Sequence, residues 1–168
     1  MSELLILLNR MKVEARLSLL TDTQKLAYDE IMYLWQFPGH VNLCGTHGVG
    51  KTIIGWVIGR AQDTRFFASL RAFRENVEHP EAKAIIDNID HTSKSIRDTL
   101  AEAQIRSIRR TLIITTEPNR LDLPTVLLES PDQMDLDVVY HNLSLFDRYP
   151  RPDPVRTNNL WDVIRSVL

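Results

Sequence analysis

All six glycines of this 168-residue chain lie between Gly39 and Gly59, so its backbone freedom is concentrated in one window. Within it, Gly45-Thr46-His47-Gly48-Val49-Gly50-Lys51-Thr52 follows the apolar run Val41-Asn42-Leu43-Cys44 and precedes a helical pattern running from Lys51 to about Arg60. A short apolar strand, a glycine-built turn and a helix leave few folds open, because the strand has to be buried and the helix has to cover it. Gly45, Gly48 and Gly50 let the chain bend so that several backbone N–H groups converge on one polyanion without Cβ clashes. The helix that begins at Lys51 adds the positive end of its dipole.

The remaining pattern alternates. Apolar residues at Leu4, Leu5, Leu8, Met11, Ala15 and Leu19 predict a helix over 2–20, and Thr21 with Gln24 has the spacing of a capping box that opens a second helix ending at Pro38-Gly39. Strands are predicted at 65–70, 84–87, 111–116 and 137–143, with helices at 92–110 and 160–167. Strands alternating with helices predict an α/β protein of three αβα layers around a mostly parallel sheet of about five strands. Residues 1–168 read as a single domain: N-terminal helices over 1–40, a core over 41–146, and an extended arm with a short closing helix over 147–168. Six of the eight prolines come after residue 117, three of them in the arm.

Composition excludes several classes. With 43% hydrophobic and 25% charged residues the chain buries a real core, so disordered and collagenous readings fall away. A single cysteine, Cys44, builds neither a disulfide framework nor a zinc site and predicts a reducing, cytoplasmic setting. The N-terminal apolar run is too short for a membrane span, and no membrane partner is expected. The net charge of −2 makes no global case for nucleic acid. However, residues 60–120 hold eleven basic and nine acidic groups while 121–168 hold four and eight. The helix over 92–110 carries Lys94, Arg97, Arg106, Arg109 and Arg110 against Asp98 and Glu102. That ridge suits phosphate contacts or simply complements the helix dipole.

The segment Gly45–Thr52 matches G-x-x-x-x-G-K-[ST], the phosphate-binding P-loop, in the strand-to-helix context that gives the motif its meaning. Gly45, Thr46, His47, Gly48, Val49, Gly50, Lys51 and Thr52 are therefore the expected nucleotide-binding residues, with Lys51 reaching the β- and γ-phosphates. A nucleotide with Mg²⁺ is the expected ligand. Thr52 and Asp87, the acid that closes Ala84-Ile85-Ile86-Asp87, are the expected metal anchors.

Ile85-Ile86-Asp87-Asn88-Ile89-Asp90 resembles the D-E-x-D Walker B motif of AAA+ ATPases, in the versions found in replication initiators and clamp loaders. The resemblance covers roughly 21–145, with Thr115-Thr116-Glu117 at the end of the sensor 1 strand and 119–130 where the family leads to its arginine finger. Three departures accompany it. Asn88 stands where the family has the glutamate that polarises water, Glu117 where sensor 1 is usually asparagine, and Glu129-Ser130 where a serine–arginine pair is usual. About 25 residues follow Leu143, too few for the family's C-terminal helical lid. Asp87 and Glu117 are the candidate catalytic residues, Glu117 as a substitute base.

The resemblance and its departures together imply a protein that binds ATP with Mg²⁺ and hydrolyses it slowly or not at all. It would act as a nucleotide-dependent structural or switch subunit of a larger assembly, with a protein partner or hetero-oligomer and, in a DNA-handling setting, nucleic acid. Two other readings stay open: a small-molecule or nucleotide kinase, and an interaction module with a vestigial nucleotide site. A P-loop preceded by 44 residues argues against the kinase. The absence of N-K-x-D argues against a GTPase.

Overall fold

The computed structural model describes residues 2–76, 82–118, 121–149 and 157–168. Helix α1 (Glu3–Val13) opens on Ser2, whose hydroxyl accepts from the Leu5 N–H, and a single 3-10 turn (Leu17–Leu19) leads to α2 (Asp22–Leu34). At the start of α2 the predicted capping box is present: Thr21 Oγ1 accepts from Gln24 N, and Gln24 Oε1 accepts from Thr21 N. Then come β1 (Gly39–Cys44), α3 (Lys51–Ala61), β2 (Phe66–Phe67), α4 (Leu70–Asn76), β3 (Lys83–Ile86) and α5 (Ser93–Ile105). Strands β4 (Arg110–Thr115) and β5 (Thr125–Leu127) and helices α6 (Gln133–Ser144) and α7 (Leu160–Ser166) complete the chain.

The five strands form one parallel sheet in the order β2-β3-β4-β1-β5. The central strands β1 and β4 are buried along most of their length because both faces are covered, as a parallel sheet requires. On one face Val41, Leu43, Leu112 and Ile114 pack with Ile31 of α2 and Ile54 of α3. On the other, Ile86 and Ile113 pack with Phe73 of α4 and Ile96 of α5. A third cluster lies outside these layers, where Leu7 and Met11 of α1 meet Leu136 and Leu143 of α6 and Val163 of α7.

Four expectations are corrected. The segment 137–143 is helical, within α6, where a strand was predicted. Its Val138-Val139-Tyr140 favours strand locally, but Asp132 and Asp135 form a capping box, and Leu136 and Leu143, spaced at helical period, are buried together. The fifth strand is instead the short β5, hydrogen-bonded from Asn42 N to Pro124 O and from Leu128 N to Cys44 O. The strand predicted over 65–70 shrinks to β2, because Ser69 caps α4 by accepting from Ala72 N. The first helix stops at Val13, and α5 stops at Ile105, followed by a left-handed turn at Ser107 (φ 59°). Most of the predicted extended arm lies outside the described residues.

Candidate nucleotide-binding site

Strand β1 delivers the glycine loop to the C-terminal edge of the sheet, and α3 leaves from it. Gly48 (φ 82°) and Gly50 (φ 93°) adopt left-handed backbone that other residues rarely take. A side chain would also displace a neighbour, because a Cβ on Gly48 would meet the end of Asn159 and one on Gly50 the end of Gln24. The loop's carbonyls are engaged from three directions. Lys51 Nζ donates to Thr46 O at 2.7 Å and to Gly45 O, Leu160 N to Gly48 O at 2.8 Å, and Gln24 Nε2 to Val49 O at 3.4 Å. By contrast, the amides of Thr46, His47, Gly48 and Gly50 donate to no protein acceptor among the described residues. Buried Val49 anchors the loop in the core, while His47 is exposed at its rim.

Asp87 follows β3 and is 3% exposed. Its Oδ2 accepts from Thr52 Oγ1 at 2.7 Å and its Oδ1 from Asn88 N at 2.7 Å. The two predicted metal anchors therefore touch. A hydroxyl and a carboxylate oxygen are hard donors that suit Mg²⁺, which takes one or two protein ligands and fills the rest of its shell with phosphate and water. The residues fit that ion. Burial raises the pKa of Asp87, against the opposing pull of Thr52, the Asn88 N–H and Lys51, and burial lowers that of Lys51, against Asp87 and Cys44. Burial likewise pushes the Cys44 thiol up, which makes it a poor nucleophile.

A cleft of about 680 Å³ opens over these groups, with Lys51, Thr52 and Asp87 at its polar end and Leu8, Trp56 and Leu160 among its apolar walls. Asn88 lines it too, in left-handed conformation (φ 54°) with its Nδ2 donating to Ala68 O at 3.0 Å. Asparagine tolerates that backbone, and its amide has a structural partner. Thr115 and Thr116 line the cleft; Glu117 does not, its side chain being 67% exposed and 3.5 Å from His91 Nε2. Thr115 Oγ1 donates to Asn42 Oδ1 at 3.1 Å, tying β4 to β1 beneath the loop. Asn119 lies outside the described residues, and Ser130 and Glu129 follow β5, away from the cleft lining.

The order of strands carries a signature of its own, because β4 is inserted between the loop strand β1 and the acid-bearing strand β3. No protein-family profile matches the sequence, and no curated protein does. Solved structures share the fold. Domain III of the Thermotoga maritima replication initiation protein DnaA aligns at a TM-score of 0.53 and 12% identity, over 80% of this chain and 74% of that one. The Thermotoga maritima RuvB Holliday junction branch migration motor aligns at 0.55 and 19% identity, over 84% and 57%. This chain therefore shares with them a three-layer αβα P-loop fold around a parallel sheet. An arginine-to-alanine variant of RuvB gives 0.50 at 19% identity over 76% and 50%, so this chain spans little more than half the length of the RuvB chains.

Sequence reasoning singled out the loop, Thr52 and Asp87, and the structure brings the three together. It missed Leu160 and Asn159, which reach the loop from the far end of the chain. It also missed that Gln24 serves both the α2 cap and the loop. Asn158-Asn159 ahead of an apolar helix was the one available signal for the first of these, since asparagine is a favoured N-cap.

Proposed function

We propose that this chain binds ATP with Mg²⁺ at the glycine loop and hydrolyses it slowly or not at all. One observation carries the reading: loop amides with no protein acceptor among the described residues stand beside a half-buried Thr52–Asp87 contact. The amides and Lys51 would take the phosphates, and Thr52 with Asp87 would hold Mg²⁺, which supplies charge neutralisation at the β- and γ-oxygens. Slow turnover follows from the groups around the loop. Asn88 accepts no proton and is tied to Ala68 O. Glu117 is left as the substitute base, and it stands out of the cleft beside His91.

Residues 1–168 then act as one nucleotide-binding unit, a cytoplasmic structural or switch subunit of a larger protein assembly. The likeness to a replication initiation protein and a branch migration motor favours an assembly that handles DNA. No helix among the described residues is long and apolar enough to cross a membrane.

Titration of a fluorescent ATP analogue tests the binding. Lys51→Ala is expected to weaken it about 10- to 100-fold, the loss of a charge-assisted contact of ~1.5–3 kcal/mol; equal affinity would overturn the proposal. A single-turnover assay on the wild type tests the second half, and a rate of ~1 s⁻¹ or faster, ordinary for enzymes, would contradict it.

A further inference from the structure

The opposite end of the sheet holds a second concavity, a groove of about 790 Å³. His40, at the start of β1, lines it together with Arg97 and Gln104 of α5, Ser107 of the left-handed turn, and Arg109 just before β4. Among the described residues, no carboxylate lines it. Among the described residues, Arg97 and Arg109 form no ion pair, whereas the neighbouring Arg106 is engaged by Glu102 at 3.5 Å, which also meets Arg74 at 3.2 Å. Asp98 sits on the same helix as Arg97 but outside the groove lining.

Exposed guanidiniums that meet no carboxylate among the described residues call for an acceptor-rich ligand, since a guanidinium fork matches phosphate. Arg97 and Gln104 lie two helical turns apart, about 10 Å along α5. A single inorganic phosphate cannot span that distance, whereas a strand advancing ~3.4 Å per nucleotide covers it in about three steps.

We infer that this groove is a second anion site that binds the phosphodiester backbone of a nucleic acid strand, remote from the mononucleotide loop. The inference does not rest on the ATP reading, because β1 separates the two sites by roughly 15–20 Å.

The test is fluorescence anisotropy of a labelled oligothymidylate with the full chain, titrated with salt and repeated with Arg97→Gln/Arg109→Gln. Both residues are exposed, and circular dichroism checks that the variant folds. The double variant is expected to bind about 10-fold or more weakly, with the slope of log affinity against log salt reduced by about 1.4, at ~0.7 per phosphate released. Lys51→Ala is expected to keep the wild-type oligonucleotide affinity. The inference is overturned if the wild type does not bind the oligonucleotide, if the double variant binds as tightly as the wild type, or if polyglutamate or inorganic phosphate displaces the oligonucleotide at equal charge concentration. Loss of binding in Lys51→Ala alone would assign the oligonucleotide to the loop instead.

Discussion

Asp87 is placed where its charge is least comfortable, and that placement is what a metal anchor needs. Burial holds its proton more tightly in the native chain than in the unfolded one, although Thr52, the Asn88 N–H and Lys51 pull the other way. Its contribution to stability is therefore full below the ordinary aspartate value of 3.8 and is lost as pH rises through the raised native pKa. Asp87→Asn keeps an acceptor for Asn88 N and a donor for Thr52 Oγ1 while removing the charge. It is expected to raise Tm by a few degrees near neutral pH, with the difference closing as pH falls toward 4 in thermal melts. The same variant is expected to lose the Mg²⁺-dependent tightening of ATP-analogue binding. A carboxylate with only a structural role would lose Tm on substitution and leave the metal dependence untouched.

Among the elements, α6 and α2 are joined end to end by one carboxylate. Asp135 is 2% exposed; its Oδ1 accepts from Thr23 N at 3.3 Å and its Oδ2 from Asp132 N at 3.3 Å, so it serves the first turns of both helices. Burial alone would raise its pKa, but hydrogen bonds from the Thr23 and Thr21 side chains and from the backbone of Asp132 and Thr23 hold it below the ordinary value. Its stabilisation is therefore present above 3.8 and lost as pH falls through the native value. Asp135→Ala is expected to cost about 0.5–2 kcal/mol, the range for a lost cap, and about 2–4 °C of Tm per kcal/mol at this chain length. Melts at neutral pH and near pH 3 check both parts, since the difference is expected to shrink in acid.

This junction also shows where the sequence was legible. The capping box at Thr21 and Gln24 was visible because it is local, and so was the strand–loop–helix at 41–60. Helix α6 was misread because its β-branched run speaks for a strand until Leu136 and Leu143 find α1 and α7, a contact no window of a few residues contains. Strand β5 is too short to show a pattern and exists because β1 offers it an edge.

At the scale of the whole molecule, the end of the chain is wired into the loop. Leu160 is the first residue of α7, a position where proline is tolerated, and Asn159 before it is already extended (φ −122°, ψ 112°). Leu160→Pro thus keeps the helix and deletes the N–H that meets Gly48 O, while Leu160→Ala keeps the N–H and loses the apolar side chain. Both are expected to lower Tm. Only the proline variant is expected to weaken ATP-analogue binding beyond that, by about 3- to 10-fold for one lost hydrogen bond of ~0.5–1.5 kcal/mol.

The carbonyls held at Gly45, Thr46, Gly48 and Val49 have a further consequence. A trans peptide plane points its N–H opposite to its C=O, so fastening one side of a loop aims the other. Lys51, α2 and α7 together sort the loop into an acceptor side, already matched within the protein, and a donor side. Under the proposed binding, recognition would reside in the orientation of peptide planes, leaving side-chain identity at Thr46 and His47 free to vary.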